Sequence, residues 1–184
     1  MAVENDEQLA RAVQGGDMAA LEELVVRHTS PLTGYLFRLT GGRRELAEDI
    51  VQETFVQVIQ HIGQYTYPKP FKAWLYAIAT NRARNHYASA DTRRTVAGGD
   101  DPLLQDMSPE PETVVEQQEA LDEIAMAVMA LPDGQREVIL LRYTQELTLA
   151  EIGEVLDIPE GTVKSRLSLG LKRLRALIKM GVGR

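Results

Sequence analysis

The sequence predicts an all-α protein of two small helical domains joined by a flexible acidic linker, with a C-terminal helix-turn-helix. Three observations carry this. Apolar residues recur at helical spacing through residues 6–87 and again from Leu121 to Ile178. Between Ala88 and about Glu116 the pattern fails, where Gly98, Gly99, Pro102, Pro109, Pro111 and many acids leave little to bury. Near the end, a capping signature at Thr148 and a tight turn at Asp157-Ile158 set two helices side by side. The divisions that follow are residues 1–90, a linker over 91–116, and residues 117–184.

Taken in order, Asp6 opens a short helix that buries Leu9, Ala12 and Val13. Gly15-Gly16-Asp17 makes a turn, and the Asp17 carboxylate can cap the next helix. Leu21, Leu24, Val25, Leu32, Leu36 and Leu39 continue at helical spacing; Pro31 either kinks that run or divides it, and Gly41-Gly42 ends it. From about Arg43 to Ile62, Leu46, Ile50, Thr54, Val58 and Ile62 form a stripe that Val51 and Phe55 widen. Gly63 to Pro70 is a turn. A fourth helix takes Phe71 to about Tyr87, with Trp74, Leu75, Ile78 and Ala79 or Ala83 inward. Four such helices can make a bundle that stands alone.

The second domain begins near Val114 or Leu121, with Leu121, Ile124, Val128 and Met129 lining one helix. Leu131-Pro132 breaks it, and Asp133 is expected to cap the helix of Val138, Ile139 and Leu141. Thr148 and Glu151 form a capping box for a short helix that turns Leu149, Ile152 and Leu156 inward. Pro159 stands just before or at the first turn of the last helix, whose inner face is Val163, Leu167, Leu171, Leu174 and Ile178.

Composition narrows the function. There is no Cys, so disulfides, thiolate metal sites and Cys nucleophiles are excluded, which fits a reducing, cytoplasmic setting. The start MAVENDEQLA lacks the basic end and apolar run of a signal peptide, and no run approaches a membrane span. A net charge of -7 argues at first against a nucleic-acid partner. Its distribution reverses that. Gly63–Tyr87 carries four basic residues and Gly161–Arg184 seven, and all 27 acids lie outside both stretches. Phosphate binding follows local potential, so two basic patches on an acidic body can hold DNA. Either patch can also be a solvated helix face. His61 stands eight residues from Glu53, so neither Glu-x-x-His nor His-Glu-x-x-His spacing occurs; no catalytic residue, metal site or cofactor is expected.

The last helix offers the chemistry of groove reading. Thr162, Lys164, Ser165, Arg166, Ser168, Leu169, Lys172 and Arg173 lie wholly or partly on its outer side. Arg can take guanine O6 and N7 bidentately, while Lys, Ser and Thr reach base edges or phosphates. Thr162 lies near the amide donors of the helix N-terminus. In the first domain, Lys69, Lys72, Arg82 and Arg84 interleave with Tyr65, Tyr67, Phe71, Trp74 and Tyr76. Cations and ring faces together suit an opened strand with unstacked bases. Phe71 and Trp74 serve equally well as core.

These segments resemble a known family. Leu131 to Arg175, above all EGTVKSRL from Glu160 to Leu167, is similar to region 4 of the extracytoplasmic-function sigma factors of bacterial RNA polymerase. The resemblance implies recognition of the -35 promoter element, with Lys164, Ser165, Ser168 and Leu169 at groove-facing positions. Relatives often have Arg where Leu169 stands, so contact there should be apolar or absent. LAEDIVQETFVQVIQHI, from Leu46 to Ile62, resembles region 2.2, which implies that Asp49, Gln52, Glu53 and Gln57 contact core polymerase. YTYPKPFKAWLYAIATNRARNHY, from Tyr65 to Tyr87, resembles regions 2.3 and 2.4, which melt and read the -10 element. That implies -10 contacts from Tyr65, Tyr67, Lys69, Lys72, Trp74, Asn81, Arg82, Arg84 and Asn85, with a base-accepting loop over Gly63–Phe71. Asn85 replaces a common Asp. The implied partners are core RNA polymerase, promoter DNA and an anti-sigma factor, which can hold the chain at the membrane without the chain spanning it. Two rival readings stand beside this one: a helix-turn-helix regulator that dimerises on symmetric sites, and a helical adaptor with no DNA role.

Overall fold

The computed structural model describes residues 5–97 and 123–180. All regular structure among them is helical. Helix α1 (Asp6–Gln14) starts with a reciprocal cap: Asn5 Oδ1 accepts from the Gln8 amide, and Gln8 Oε1 accepts from the Asn5 amide. Asp17 caps α2 (Met18–Leu39) by accepting from the amides of Ala19 and Ala20. Pro31 lies inside α2, which runs as one helix past it. The Gly41-Gly42 pair, with φ of 70° and 86°, turns the chain into α3 (Arg44–His61). A 3₁₀ turn over Ile62–Gln64 and a loop lead to α4 (Phe71–Ala97). This helix continues ten residues past its expected end at Tyr87, because no Pro or Gly interrupts it before Gly98. The rest of the expected linker lies outside the described residues.

The chain resumes in a helix over residues 123–129, here α5, followed by α6 (Asp133–Tyr143), α7 (Leu149–Leu156) and α8 (Glu160–Met180). Leu121 lies outside the described residues, and Ile124 is exposed, so the buried edge of α5 is Ala127 and Val128. Asp133 does not cap α6. Pro132, with φ of -56°, takes the N-cap position, and Asp133 is the first helical residue, near Arg136 at 3.4 Å. Thr148 forms the expected box with Glu151, and Asp157 takes the left-handed conformation (φ 52°) that turns α7 into α8. Gly170 is buried in α8, where an added Cβ would stand 2.8 Å from Ile139 Cδ1. The glycine lets α6 and α8 close on each other, which offsets its poor helix propensity.

Two clusters result. In the first, α1–α4 bury Leu24, Leu32, Leu36, Ile50, Phe71 and Leu75 completely or nearly so. Each such side chain contributes about 1.5–3 kcal/mol relative to exposure. Tyr35 and Tyr76 are buried edge to face with centroids 5.1 Å apart. The Tyr35 hydroxyl is satisfied by Thr80 Oγ1 at 2.8 Å. In the second, Leu131, Leu140, Leu141 and Ile152 form the centre. The clusters also touch, α4 against α7 and α2 against α6. Arg136 spans that contact, donating to the carbonyls of Leu39, Met129 and Leu131.

Candidate nucleic-acid interface

The three groups of predicted residues fall on three faces. On α3, Asp49 and Gln52 are exposed, while Glu53 and Gln57 are half-buried. Glu53 faces α4, lying 3.8 Å from Arg82 and 3.7 Å from His86. Gln57 donates to Gln60 Oε1. Sequence reasoning missed two neighbours on this side: Val56 and Ile59 are 50% and 52% exposed. Their spacing from Gln52 was the available signal, since 52, 56 and 59 share a helix face.

On α8, Lys164, Ser165, Ser168, Leu169, Lys172 and Arg173 are exposed, and Thr162 and Arg166 are half-buried. Val163 faces inward against α7. Lys164 pairs with Glu160 at 2.7 Å, both largely exposed, a contact of about 0.3–0.5 kcal/mol at most. Ser165 Oγ donates to the Thr162 carbonyl. Leu169, 57% exposed, makes an apolar spot among cations and hydroxyls. Arg166 turns back toward α6, where its guanidinium lies against Gly134.

The α4 group is divided. Tyr67, Lys69, Asn81 and Asn85 are exposed, and Arg82 and Trp74 half-buried. Tyr65 is buried; its hydroxyl donates to the Lys69 carbonyl, and burial, with the nearby Glu7 charge, pushes its pKa up to about 12. It therefore shapes the loop rather than presenting a ring to solvent. Two cations face the second cluster instead of solvent. Lys72 Nζ donates to the Gln145 carbonyl at 2.7 Å. Arg84 holds Glu137 bidentately, Nε to Oε1 at 2.8 Å and Nη2 to Oε2 at 2.7 Å. Those hydrogen bonds raise the Arg84 pKa against the opposing effect of burial. Between them Tyr76 donates to Gln145 Oε1 at 2.5 Å. None of this was visible in sequence spacing.

Comparison with known proteins shows the family of the chain. The chain matches the families described as Sigma-70 region 2, over residues 24–93, and Sigma-70, region 4, over residues 127–176. It is 33% identical over 186 residues to the ECF RNA polymerase sigma factor SigW of Bacillus subtilis, covering 92% of this chain and 94% of that one. With SigL of Mycobacterium tuberculosis, also an ECF RNA polymerase sigma factor, identity is 37% over 174 residues, 91% and 94% of the two chains. Among solved structures, CnrH in complex with the cytosolic domain of CnrY superposes with a TM-score of 0.71 at 25% identity, over 95% of this chain and 97% of CnrH. The sigma factor RpoE of Bartonella quintana, crystallised with the anti-sigma factor NepR, shares the fold at a TM-score of 0.75 and 22% identity, over 86% and 96%. The chain belongs to the ECF sigma factors of the sigma-70 family.

Proposed function

We propose that this ECF sigma factor directs core RNA polymerase to promoters through a division of labour between its two helical clusters. It catalyses nothing; phosphodiester chemistry belongs to the polymerase. The first cluster docks on core through Asp49, Gln52, Glu53 and Gln57 of α3. It then reads the -10 element through Tyr67, Lys69, Trp74, Asn81, Arg82 and Asn85, joined by Lys72 and Arg84 when the clusters part and free them from Gln145 and Glu137, with Tyr65 as loop support. The second cluster is a helix-turn-helix whose α8 enters the -35 major groove with Lys164, Ser165, Ser168 and Leu169, while Thr162, Arg166, Lys172 and Arg173 take phosphates or base edges. The chain thus divides into a -10 domain over residues 1–90, a linker over 91–116 and a -35 domain over 117–184. The observation that carries this reading is the acid-free outer face of α8 beyond Glu160, on a separate cluster from the cations of α4.

An anti-sigma factor is the second partner we assign. The complexes of CnrH with CnrY and of RpoE with NepR support it. No helix among the described residues is long and apolar enough to cross a membrane. We place the chain in the cytoplasm, reaching the membrane only through such a partner.

The test is gel filtration with bacterial core polymerase, then binding to duplex promoter DNA. The unaltered chain should co-elute stoichiometrically, and Asp49→Ala/Gln52→Ala should displace it poorly. Lys164→Ala/Arg173→Ala should co-elute normally but bind promoter duplex weakly, and its salt slope should fall by about one for each phosphate no longer neutralised. Failure to co-elute with a core that binds a known sigma factor would overturn the proposal.

A further inference from the structure

The loop between α3 and α4 is held in shape by α1, whose residues Glu7, Arg11 and Gln14 stand at i, i+4 and i+7 on one edge of the helix. Each grips a different part of the loop. Gln14 Nε2 donates to the carbonyls of Ile62 (2.8 Å) and Tyr65 (2.7 Å), at the start. The Arg11 guanidinium lies 5.0 Å from the centre of the Tyr67 ring, at the tip. Glu7 Oε1 accepts from the Phe71 amide at 3.2 Å, at the end and on the first turn of α4. The loop itself, with Pro68 and Pro70 unable to donate, is short of internal backbone bonds; the Tyr65 amide donates to Ile62 and the Lys69 amide to Thr66. The α1 contacts satisfy the Tyr65 carbonyl and the Phe71 amide, which opens α4, and give the Ile62 carbonyl a second donor.

What the loop encloses gives this grip a purpose. Between the loop, α4 and Glu154 of α7 lies a half-open cavity of about 190 Å³, with Tyr65, Lys69, Ala73 and Trp74 on its loop and α4 sides. That exceeds the ~150 Å³ that holds a benzene ring. Once α7 carries the Glu154 carboxylate away, it offers ring faces, a Lys and loop backbone, the set that accepts an unstacked base. Tyr65 is the wall tied most directly to α1, since Gln14 takes its carbonyl and its ring packs on Trp74 at 5.6 Å and Phe71 at 5.8 Å.

We infer that Glu7, Arg11 and Gln14 are positioning residues for strand opening: by fixing the loop they fix the base-accepting cavity, and so set the rate of melting apart from polymerase or duplex binding. This rests on the -10 reading above. Gln14→Leu removes both donors at an exposed helix position. Glu7→Ala removes the acceptor, whereas Glu7→Gln keeps a side-chain oxygen for the Phe71 amide.

The experiment reconstitutes holoenzyme with each full-length variant and recovers promoter fragments by run-off transcription of genomic DNA with the unaltered holoenzyme. Duplex binding is followed by footprinting and opening by permanganate reactivity of unpaired thymines. Gln14→Leu and Glu7→Ala should open promoters about 10-fold more slowly, the scale set by one or two missing hydrogen bonds. Core co-elution and upstream footprints should stay unchanged, and Glu7→Gln should open normally. Emission from Trp74, the single tryptophan, should shift to the red in the free Gln14→Leu chain as the cavity wall loosens. Unchanged opening in both variants would overturn the inference. So would a parallel fall in opening, core binding and thermal stability, which marks a general structural prop. If the unaltered holoenzyme opens no fragment, the -10 reading itself fails, a result distinct from either.

Discussion

Replacing Arg84 with Ala should separate the two clusters, and the size of the effect follows from what it strands. The Glu137 side chain is 5% exposed and accepts both of its strong hydrogen bonds from Arg84. A buried carboxylate left unpaired costs about 3–5 kcal/mol, but parting of the clusters gives it water and limits the loss. We expect the packed arrangement to weaken by about 2 kcal/mol, roughly 30-fold in the equilibrium. Glu137→Gln should weaken it less, by about 1 kcal/mol, because the amide still accepts one bond and Arg84, 38% exposed, can hydrate. Arg84→Leu/Glu137→Leu should recover most of the packing, since two matched apolar groups leave no stranded charge. The cysteine-free chain suits the assay: Cys placed at exposed Val26 and Leu169 carries a dye pair, one on each cluster. Energy transfer should fall in Arg84→Ala, fall less in Glu137→Gln and return in the double Leu variant. Equal transfer in all four proteins would refute the claim that this pair holds the clusters together.

Other expectations are local. Thr148→Ala removes the side-chain arm of the α7 capping box, the Oγ1 that accepts from the Glu151 amide, and leaves the Thr148 amide bonded to Glu151; it should cost about 1 kcal/mol in urea unfolding. Gly153→Ala sets a Cβ 2.9 Å from the Ile158 carbonyl in the turn between α7 and α8. Backbone there cannot yield as a side chain can, so a loss of about 1–3 kcal/mol and weaker duplex binding are expected. Stability should also fall in alkali. The Tyr65 phenol titrates near 10 in an unfolded chain and at about 12 here, and burial raises Tyr35 and Tyr76 in the same direction. The fold thus favours the neutral phenols: their contribution is whole below pH 10 and falls as pH rises above it, that of Tyr65 being lost as pH passes through 12. A urea midpoint that holds steady from about pH 9 to 11 would contradict this.

Element order and the inner faces were legible because helical periodicity and caps are local signals. Asn5, Asp17 and Thr148 each cap a helix; Asp17 and Thr148 were readable as caps, and Asn5 with Gln8 carried the same signature unread. Asp133 misled because a preceding Pro took the cap position. The α8 face was readable for the same local reason, since outward polar positions follow from the inward stripe. What could not be read was pairing at a distance. Arg84 and Glu137 are 53 residues apart, and Gln14 and Tyr65 are 51 apart. A basic residue on a basic helix reads as phosphate-facing until the tertiary partner is seen. Likewise nothing local to the polar edge of α1 points to the loop, and only the fold brings the two together.

Arg136 bears on how readily such a molecule changes form. Two of the three carbonyls it holds, those of Met129 and Leu131, belong to its own cluster, and only that of Leu39 lies across the contact. Parting the clusters therefore breaks one of its bonds and leaves the guanidinium still anchored. The freed Leu39 carbonyl sits at a helix end, where water can replace the donor. No helix has to melt. A parting of the clusters would then be a rigid-body movement, of the kind that proceeds in microseconds to milliseconds rather than on the timescale of unfolding.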